Sequence, residues 1–310
     1  MPKRTPYPPA ERWVEHTATA EDAGRTVREI LTDRMRISRR MIQRLTRSGG
    51  IRLNRRPTYL ARKVRAGDVV AAHAADTEGS ELAPVAMELD VRYEDADVLV
   101  VNKPPFLLVH PVAPHHTRTL AHGIAHRFEA QGLRAKVRPV HRLDRDTSGL
   151  LLLAKSSIAH QRLDVQLQSG QMRRAYLALV GETMAEDEGV VDAPIARLEP
   201  RSLLRTVRAE GGQPARTRFR VVERLNDATL VELELETGRT HQIRVHMAHL
   251  GHPVIGDEPY GGRAVPGLRR QALHAWKLRF LQPTSGEEIE VSAPQPDDLE
   301  AVRSALDAGG

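Results

Sequence analysis

The 310-residue chain contains no cysteine, few aromatic residues (4%) and no long apolar segment. Without cysteine it can form no disulfide, no zinc–thiolate site and no thiol nucleophile. The first residues, MPKRTPYPPAERW, contain no apolar signal core, and every aliphatic run is far shorter than the roughly 20 residues that span a bilayer. These absences favour a soluble, cytoplasmic protein with no membrane partner.

The positive charge is concentrated at one end of the chain. The formal net charge is +6, and arginine supplies 40 of the 46 basic residues. Residues 1–75 hold 17 Lys and Arg against 7 Asp and Glu. Because guanidinium groups bind phosphates and stack on bases, this segregation predicts a polyanion-binding segment. A GC-rich genome would explain the preference for arginine over lysine, but not its segregation.

The order of predicted elements indicates an α+β protein. Blocks of short strands are interrupted by isolated helices, which favours a mixed, largely antiparallel sheet flanked by helices over a regular βαβ alternation. Composition divides the chain into a flexible Pro-rich N-terminus (1–15), a small α/β module (16–75), an acidic linker (76–88), a large domain (89–300) and a tail (301–310).

The small module contains a strongly basic helix. Ser38 is a good N-cap, and the helical pattern ends at Gly49. Arg40, Arg44 and Arg47 follow one another at i, i+4 and i+7, on one face. Like charges at this spacing are destabilising unless an anion offsets them, which favours a nucleic-acid ligand. The alternative is a solvated basic helix that binds nothing.

The segment RISRRMIQRLTRSGGIRLN, with the later KVRAGDVV, resembles the small S-four-like RNA-binding module named after a ribosomal protein. The resemblance implies that the basic helix and the following strand contact RNA backbone. Where that family usually reads close to VNGK, this chain has Leu53, Asn54, Arg55 and Arg56, so the charge is kept and the glycine is lost. The residues expected to bind RNA are Arg36, Arg39, Arg40, Arg44, Arg47 and Arg55.

The stretch HRLDRDTSGLLLLAK joins a charged loop to an apolar run. Five ionisable residues occupy six positions, and the run Leu150–Ala154 follows. A short apolar run of this kind is typical of a strand buried on both faces, although a buried helix segment has the same composition. A charged loop attached to the core is how a scaffold holds a reactive side chain. Asp144 and Asp146 could also be turn residues without further function.

Two further segments place charge inside regular structure. One is RRAYLALV, where Arg174 and Tyr176 enter an apolar strand. The other is TGRTHQIRVHMAHLG, a predicted helix in which Arg244 lies next to the apolar face and needs an anionic partner if it is buried. His246, His249 and His252 stand at three-residue spacing, which resembles a metal site. A helix followed by a turn explains the spacing, and no metal is expected.

These segments, with YEDADVLVVNKP before them and ALHAWKL after them, occur in an order that resembles the RluA-type pseudouridine synthases across residues 89–295. The resemblance implies an enzyme that isomerises uridine in RNA without a cofactor. It also implies roles for individual residues. Asp144 would be the catalytic aspartate and Arg244 its partner, Arg142 would fill the space of the flipped nucleotide, Tyr176 would stack on the uracil, and Leu273 would close the base pocket.

His141, Arg239 and Ile243 complete the expected substrate-binding set. For His141 we favour a structural role in holding the loop of Asp144 over acid–base work. Two positions depart from the family pattern: Arg174 stands where many members have lysine, and Phe106 where many have glycine.

We therefore expect a monomeric RNA pseudouridine synthase that needs no metal and acts on structured RNA. Large-subunit ribosomal RNA is the favoured substrate, by fold-level analogy, and transfer RNA comes second. One alternative is an RNA-binding ribosome-assembly factor without turnover. Another is an aspartate-based hydrolase or phosphatase, against which the lack of a metal-binding carboxylate cluster weighs.

Overall fold

A computed structural model describes residues 13–74 and 79–307. Most of the predicted flexible N-terminus, the first residues of the predicted linker and the last three residues of the predicted tail lie outside the described residues.

The N-terminal module is built on a four-stranded antiparallel sheet in the order β1-β4-β2-β3. Its strands are β1 (Trp13–Thr17), β2 (Ile51–Leu53), β3 (Arg56–Pro57) and β4 (Val69–His73). Strand β1 begins inside the segment predicted to be flexible up to residue 15, so that prediction was wrong for its last three residues. The reason is packing: Val14 is buried, and the Trp13 ring packs edge-on against His73 and under the Arg52 guanidinium.

Two helical segments cover this sheet. Helix α1 (Val27–Glu29) continues into a π-helical turn (Ile30–Arg34), and α2 spans Arg39–Arg47. The Ser38 hydroxyl accepts a hydrogen bond from the Met41 amide, as an N-cap does.

The turn without glycine, between β2 and β3, is a two-residue hairpin. Asn54 and Arg55 both have positive φ (51° and 65°), as this hairpin type requires.

The large domain contains a ten-stranded sheet and a separate two-stranded one, β11 with β12. The strands are β5 (Asp90–Glu94), β6 (Val98–Lys103), β7 (Arg138–Pro139), β8 (Ser148–Ala154), β9 (Arg173–Gly181), β10 (Glu188–Asp192), β11 (Ile195–Arg197), β12 (Arg205–Val207), β13 (Arg216–Leu225), β14 (Ala228–Leu235), β15 (Leu273–Leu281) and β16 (Glu288–Ser292). The main order is β10-β13-β14-β9-β15-β8-β6-β5, with β16 beside β15 and β7 beside β8. Among the described strands only β15 and β8 pair in parallel, which confirms the predicted fold class.

Four helices pack on this sheet: α3 (Leu120–Ala130), α4 (Ser157–Gln168), α5 (Gln242–His249) and α6 (Asp297–Asp307). Helix α6 runs through the boundary predicted at residue 300, and Val302 is buried. The predicted tail was therefore wrong for residues 301–307, which belong to the packed domain. No helix in the described part of the chain is both long and apolar enough to cross a membrane.

Strand β8 lies at the centre of the core. All seven of its residues are buried. Leu151 and Leu153 belong to the apolar cluster that includes α3, whereas Leu150 and Leu152 belong to the cluster that includes α4. The apolar run is thus a strand buried on both faces, as predicted, and the buried-helix alternative was wrong.

The module packs against helix α4 of the large domain. Ile158 is buried in the apolar cluster of the module. The Gln161 side chain accepts a hydrogen bond from the Ser38 amide (2.9 Å) and donates to the Arg36 carbonyl (2.5 Å), and Arg162 donates to the Met35 carbonyl (3.2 Å). Helix α4 therefore satisfies backbone groups of the loop that separates the two helical segments of the module.

Candidate active site

Asp144 lies in the loop that leads into β8. Its carbonyl accepts a hydrogen bond from the Thr147 amide (3.2 Å), which closes a turn and directs the chain into the strand. Its side chain keeps 25% of its surface exposed. Oδ2 is 3.2 Å from Nη1 of Arg244 and 3.9 Å from Nε2 of His241. The structure thus brings Asp144 and Arg244 together across a hundred residues of sequence, as the resemblance implied.

Arg244 is held by a second carboxylate. Its Nε donates to Oδ2 of Asp257 (2.6 Å) and its Nη2 to Oδ1 of the same residue (2.7 Å), a bidentate pair. Burial lowers the pKa of Arg244, but the hydrogen bonds and charge of Asp257, together with the charge of Asp144, outweigh it and raise the pKa above its ordinary value. The guanidinium is therefore a fixed cation that bridges a buried carboxylate and a partly exposed one.

Sequence reasoning missed Asp257. It treated Asp144 as the counter-charge of Arg244, although the buried carboxylate is the one with two hydrogen bonds to the guanidinium. A signal was available in the segment GDEPYGG, which contains two acidic residues and lies within the family resemblance.

His241 and Tyr260 complete the surroundings of the ion pair. His241 precedes α5 with a positive φ of 58°, and its Nδ1 is 2.8 Å from the Tyr260 hydroxyl. That hydroxyl also accepts a hydrogen bond from the Arg205 amide (2.9 Å), and the Arg244 guanidinium lies 4.8 Å from the centre of the Tyr260 ring. Burial lowers the pKa of His241, against the opposing effect of Asp144. Neither residue was predicted from the sequence.

Tyr176 lies on β9 in the apolar part of the same region. The residue is buried, and burial raises its pKa, with Arg174 acting to lower the pKa and Asp144 to raise it. Leu273 and Ile243 belong to the same apolar cluster as Tyr176. An apolar cluster that contains three predicted substrate contacts thus lies within electrostatic reach of the carboxylate.

A buried lysine supports the loop of Asp144. Lys103, at the end of β6, donates to the carbonyls of Pro104 (2.8 Å), Arg145 (2.9 Å) and Leu107 (3.0 Å). Burial lowers its pKa to about 7. Sequence reasoning assigned it no function, yet it joins two loops through their backbones.

Three further predicted site residues do not contact the Asp144–Arg244 pair through their side chains. His141 is buried, and its Nε2 accepts a hydrogen bond from the Leu152 amide (3.2 Å), which favours the structural role. Burial lowers its pKa to about 3. Arg239 donates to the Pro214 carbonyl (2.9 Å). Arg142 is exposed and makes no side-chain hydrogen bond or ion pair within the described residues.

The predicted RNA-binding arginines all lie exposed on the module. Arg44 hydrogen-bonds the Ser157 hydroxyl of α4. Among residues 13–74 and 79–307, no acidic side chain pairs with the other five, Arg36, Arg39, Arg40, Arg47 and Arg55.

The described residues contain no group of three or more His, Asp or Glu placed to hold a metal ion. Of the three closely spaced histidines, His246 is buried, with Nδ1 2.8 Å from the Thr217 hydroxyl and Nε2 2.9 Å from the Ala193 carbonyl. Hydrogen bonds to the protein thus account for its ring nitrogens. His249 is exposed, and His252 lies 3.0 Å from the Gly181 carbonyl.

Comparison with known proteins identifies the family. A family model described as RNA pseudouridylate synthase matches residues 97–249. The Bacillus subtilis protein named uncharacterized RNA pseudouridine synthase YlyB is 42% identical over 276 residues, which cover 88% of this chain and 91% of the relative. The chain belongs to the RluA-type RNA pseudouridine synthases. The ribosomal large subunit pseudouridine synthase D of Xanthomonas campestris is 38% identical over 298 residues, with 92% and 89% coverage.

Solved structures of pseudouridine synthases share the architecture. Human RNA pseudouridylate synthase domain containing 1 is 30% identical, with a TM-score of 0.54, and the match covers 71% of this chain and 95% of that one. The pseudouridine synthase described here is therefore an isomerase with an RNA substrate, and the residues around Asp144 belong to an enzyme.

Proposed function

We propose that this pseudouridine synthase isomerises specific uridines of large-subunit ribosomal RNA, with Asp144 as its catalytic carboxylate. The observation that carries the proposal is the Arg244 guanidinium, which contacts Asp144 while two of its nitrogens are fixed on Asp257. A fixed cation beside a carboxylate holds that carboxylate in one orientation through a charge-assisted hydrogen bond. Asp144 stays partly exposed, so it can reach a substrate.

The reaction requires only rearrangement within one nucleotide. The bond from N1 of the uracil to C1′ of the ribose breaks, and a bond from C5 to C1′ forms. The hydrogen of C5 leaves as a proton, and N1 gains one. There is no net change of oxidation state, so the residues must hold the base, stabilise charge and move protons. Asp144 and Tyr176 are the proposed reacting and stacking groups, and Leu273 and Ile243 are proposed to enclose the base.

A stacked uridine hides these atoms, so the target base has to leave the stack. Extrusion costs on the order of a few kcal/mol, which stacking on aromatic rings and phosphate contacts can offset. Arg142 is exposed two residues before Asp144, where it can occupy the vacated space. Arg239 is the further proposed contact to the substrate, whereas His141 is proposed to hold the loop.

The N-terminal module is proposed to be the S-four-like RNA-binding unit, joined through a linker to the catalytic domain. Its exposed arginines lack acidic partners among the described residues, so their charge is available for phosphates. A monomer is the proposed working unit. The ribosomal substrate is supported by the names of relatives such as ribosomal large subunit pseudouridine synthase D, and for a bacterial protein it implies a cytoplasmic location.

The test is release of tritium from RNA labelled at C5 of uridine, because isomerisation frees that hydrogen. Transcripts of bacterial large-subunit ribosomal RNA and a pool of unmodified transfer RNA are incubated separately with wild-type protein, with Asp144→Asn and with the control Asp146→Asn. Asp146 pairs with Arg145 and not with Arg244.

We expect the wild type to release tritium from the ribosomal transcript, Asp144→Asn to release none, and Asp146→Asn to retain most of the activity. Activity in Asp144→Asn would refute the catalytic assignment. Release from transfer RNA alone would replace the proposed substrate, and no release by the wild type from either RNA would contradict the proposed function.

A further inference from the structure

Arg270 is a buried cation that no proposed step of the reaction uses. It lies just before β15, and its side chain is fully buried. Nε and Nη2 donate to Oδ2 (2.7 Å) and Oδ1 (2.8 Å) of Asp298, in the first turn of helix α6. Burial raises the pKa of Asp298, but the hydrogen bond and charge of Arg270 outweigh it and hold the pKa below its usual value.

The third nitrogen of Arg270 faces the loop of Asp144. Nη1 lies 3.3 Å from each of three carbonyl oxygens, those of Asp146, Gln271 and Leu273. Asp146 follows Asp144 by two residues, and Leu273 is the residue proposed to close the base pocket. One guanidinium therefore contacts the backbone beside the proposed catalytic carboxylate and the backbone of the residue proposed to close the base pocket.

Two other buried side chains hold the same loop at adjacent positions. Lys103 donates to the Arg145 carbonyl (2.9 Å), and Gln271 donates to the Thr147 hydroxyl (3.0 Å). Three consecutive residues of the loop thus accept hydrogen bonds from buried donors. Of these three donors, Arg270 is the one whose orientation is set by a charged residue on a helix, Asp298 on α6.

Helix α6 is itself anchored to the core of the large domain. Leu299 and Val302 are buried in the apolar cluster that also contains Tyr176. Arg303 donates to Glu223 on β13 (2.7 Å). The helix lies beyond residues 97–249, which the family model matches. Its contacts with the core and with β13 make helix α6 a fixed support for Arg270.

We propose that α6 positions the catalytic loop, with Asp298 and Arg270 as positioning residues that act through the Asp146 carbonyl. This inference rests on the proposed role of Asp144. Without the Asp298 carboxylate, a buried guanidinium has only carbonyl oxygens as partners and turns toward them or toward solvent. The loop then loses a fixed support, and a displacement of about 1 Å at a reacting group can cost on the order of a hundredfold in rate.

The decisive variant is Asp298→Asn, which keeps the size of the side chain and removes its charge. Asp297→Asn is the matched control, because Asp297 is the exposed neighbour on the same helix turn. The measurements are single-turnover tritium release from the large-subunit ribosomal transcript at saturating enzyme, the Kd for that transcript, and the thermal unfolding midpoint.

We expect Asp298→Asn to be folded at the assay temperature and to react roughly 10- to 100-fold more slowly. Its Kd for RNA should stay within about threefold of the wild type, because no RNA contact is removed. Asp298→Glu, which retains the carboxylate, should recover part of the lost rate. The Asp297→Asn control should match the wild type in all three measurements.

An unchanged rate in folded Asp298→Asn would overturn the proposal, as would a rate in Asp298→Glu no better than in Asp298→Asn. Equal losses in rate and RNA affinity would also overturn it, because they would indicate a role in binding. Failure of this proposal can be told apart from failure of the catalytic assignment. An active Asp144→Asn variant would contradict the catalytic role of Asp144. An inactive Asp144→Asn together with a fully active Asp298→Asn would contradict only the positioning role of α6.

Discussion

Arg244 contacts two carboxylates that differ in exposure. The side chain of Asp257 is 1% exposed, and that of Asp144 is 25% exposed. Because Asp257 occupies Nε and Nη2, the guanidinium cannot follow Asp144 if that residue moves. The geometry separates two tasks: Asp257 fixes the cation, and Asp144 remains free to meet the substrate.

Asp257→Asn is expected to weaken both the fold and the reaction. Removing one partner of a buried ion pair leaves an uncompensated charge, which costs about 3–5 kcal/mol of folding free energy. Since Arg244 then loses its fixed orientation, turnover should fall by about a hundredfold in protein that remains folded. Urea unfolding and tritium release measure the two effects. Glu258→Gln, the exposed neighbour, is the control, and equal behaviour of the two variants would contradict the assignment.

Two buried histidines are expected to make stability depend on pH. Burial lowers the pKa of His141 to about 3 and that of His274 to about 4. Between these values and the unfolded pKa of about 6.5, the unfolded chain binds protons that the folded chain does not. The free energy of unfolding should therefore rise with pH across this window and fall on acidification from about 6.5 toward 4.

His274→Asn tests this dependence. Without the titrating ring, the slope of unfolding free energy against pH between about 4 and 6.5 should become shallower by up to one proton equivalent. His274 lies 2.9 Å from the Ser148 hydroxyl, so the variant is less stable throughout, and the slope is the informative quantity. An unaltered slope in His274→Asn would contradict the assigned cause.

At the scale of elements, the sequence was informative where apolar and charged residues are segregated. Strand β8 was predictable because its run is apolar throughout, and α2 because Ser38 caps it and its arginines share one face. Helix α4 was not predicted, since its pattern is inverted at two neighbouring positions: Val165 is 51% exposed and Gln166 is buried. The Gln166 amide replaces apolar contact with two hydrogen bonds to the backbone of Leu281, which sequence periodicity cannot show.

The candidate site was predictable where one motif contains the residue, as for Asp144. Contacts between distant segments were predictable only through family resemblance, as for Arg244, or not at all, as for Asp257. Which carboxylate holds Arg244 depends on which acidic residue is buried beside it in the fold. The sequence does not show which of several acidic residues lies within 3 Å of a given arginine in the folded chain.

Gly149 lies on β8, where this strand pairs with Ala275 of β15 in the only parallel pairing of the described sheet. Its φ is +113°, and an added Cβ would lie 2.2 Å from the Ala275 carbonyl oxygen and 2.5 Å from the Ala275 nitrogen. Gly149→Ala should destabilise the fold by at least about 3 kcal/mol, because strained φ and backbone overlap add together. Gly132→Ala provides the comparison, since its φ is +69° and nothing lies within 4 Å of the added carbon.

For Gly132→Ala the expected cost is only about 1 kcal/mol, from φ alone. Urea unfolding of both variants separates the two contributions. Similar losses in the two variants would show that the close approach of β15 is not the dominant constraint at Gly149.

At the scale of the whole molecule, the arginines of two surfaces differ in whether they pair with acidic residues. On the module, Arg39, Arg40 and Arg47 are exposed and have no acidic partner among the described residues. On the large sheet, arginines pair across strands with glutamates, as Arg218 does with Glu236 and Arg220 with Glu232. An arginine displaces counterions from RNA where it neutralises a phosphate, and an arginine without an acidic partner is free to do so. The module is therefore expected to dominate the salt dependence of binding.

The triple variant Arg39→Gln, Arg40→Gln, Arg47→Gln tests this expectation, with the matched triple Arg173→Gln, Arg218→Gln, Arg220→Gln on the sheet as control. Removal of one arginine–phosphate pair should reduce the slope of log K against log salt by about 0.7–0.9, so the module variant should have a slope smaller by about 2–3. The control changes net charge equally but removes cations already paired with glutamate, so its slope should stay close to that of the wild type. Binding of the ribosomal transcript at several salt concentrations distinguishes them. Equal slopes in the two variants would mean that net charge, not the docked module, governs RNA binding.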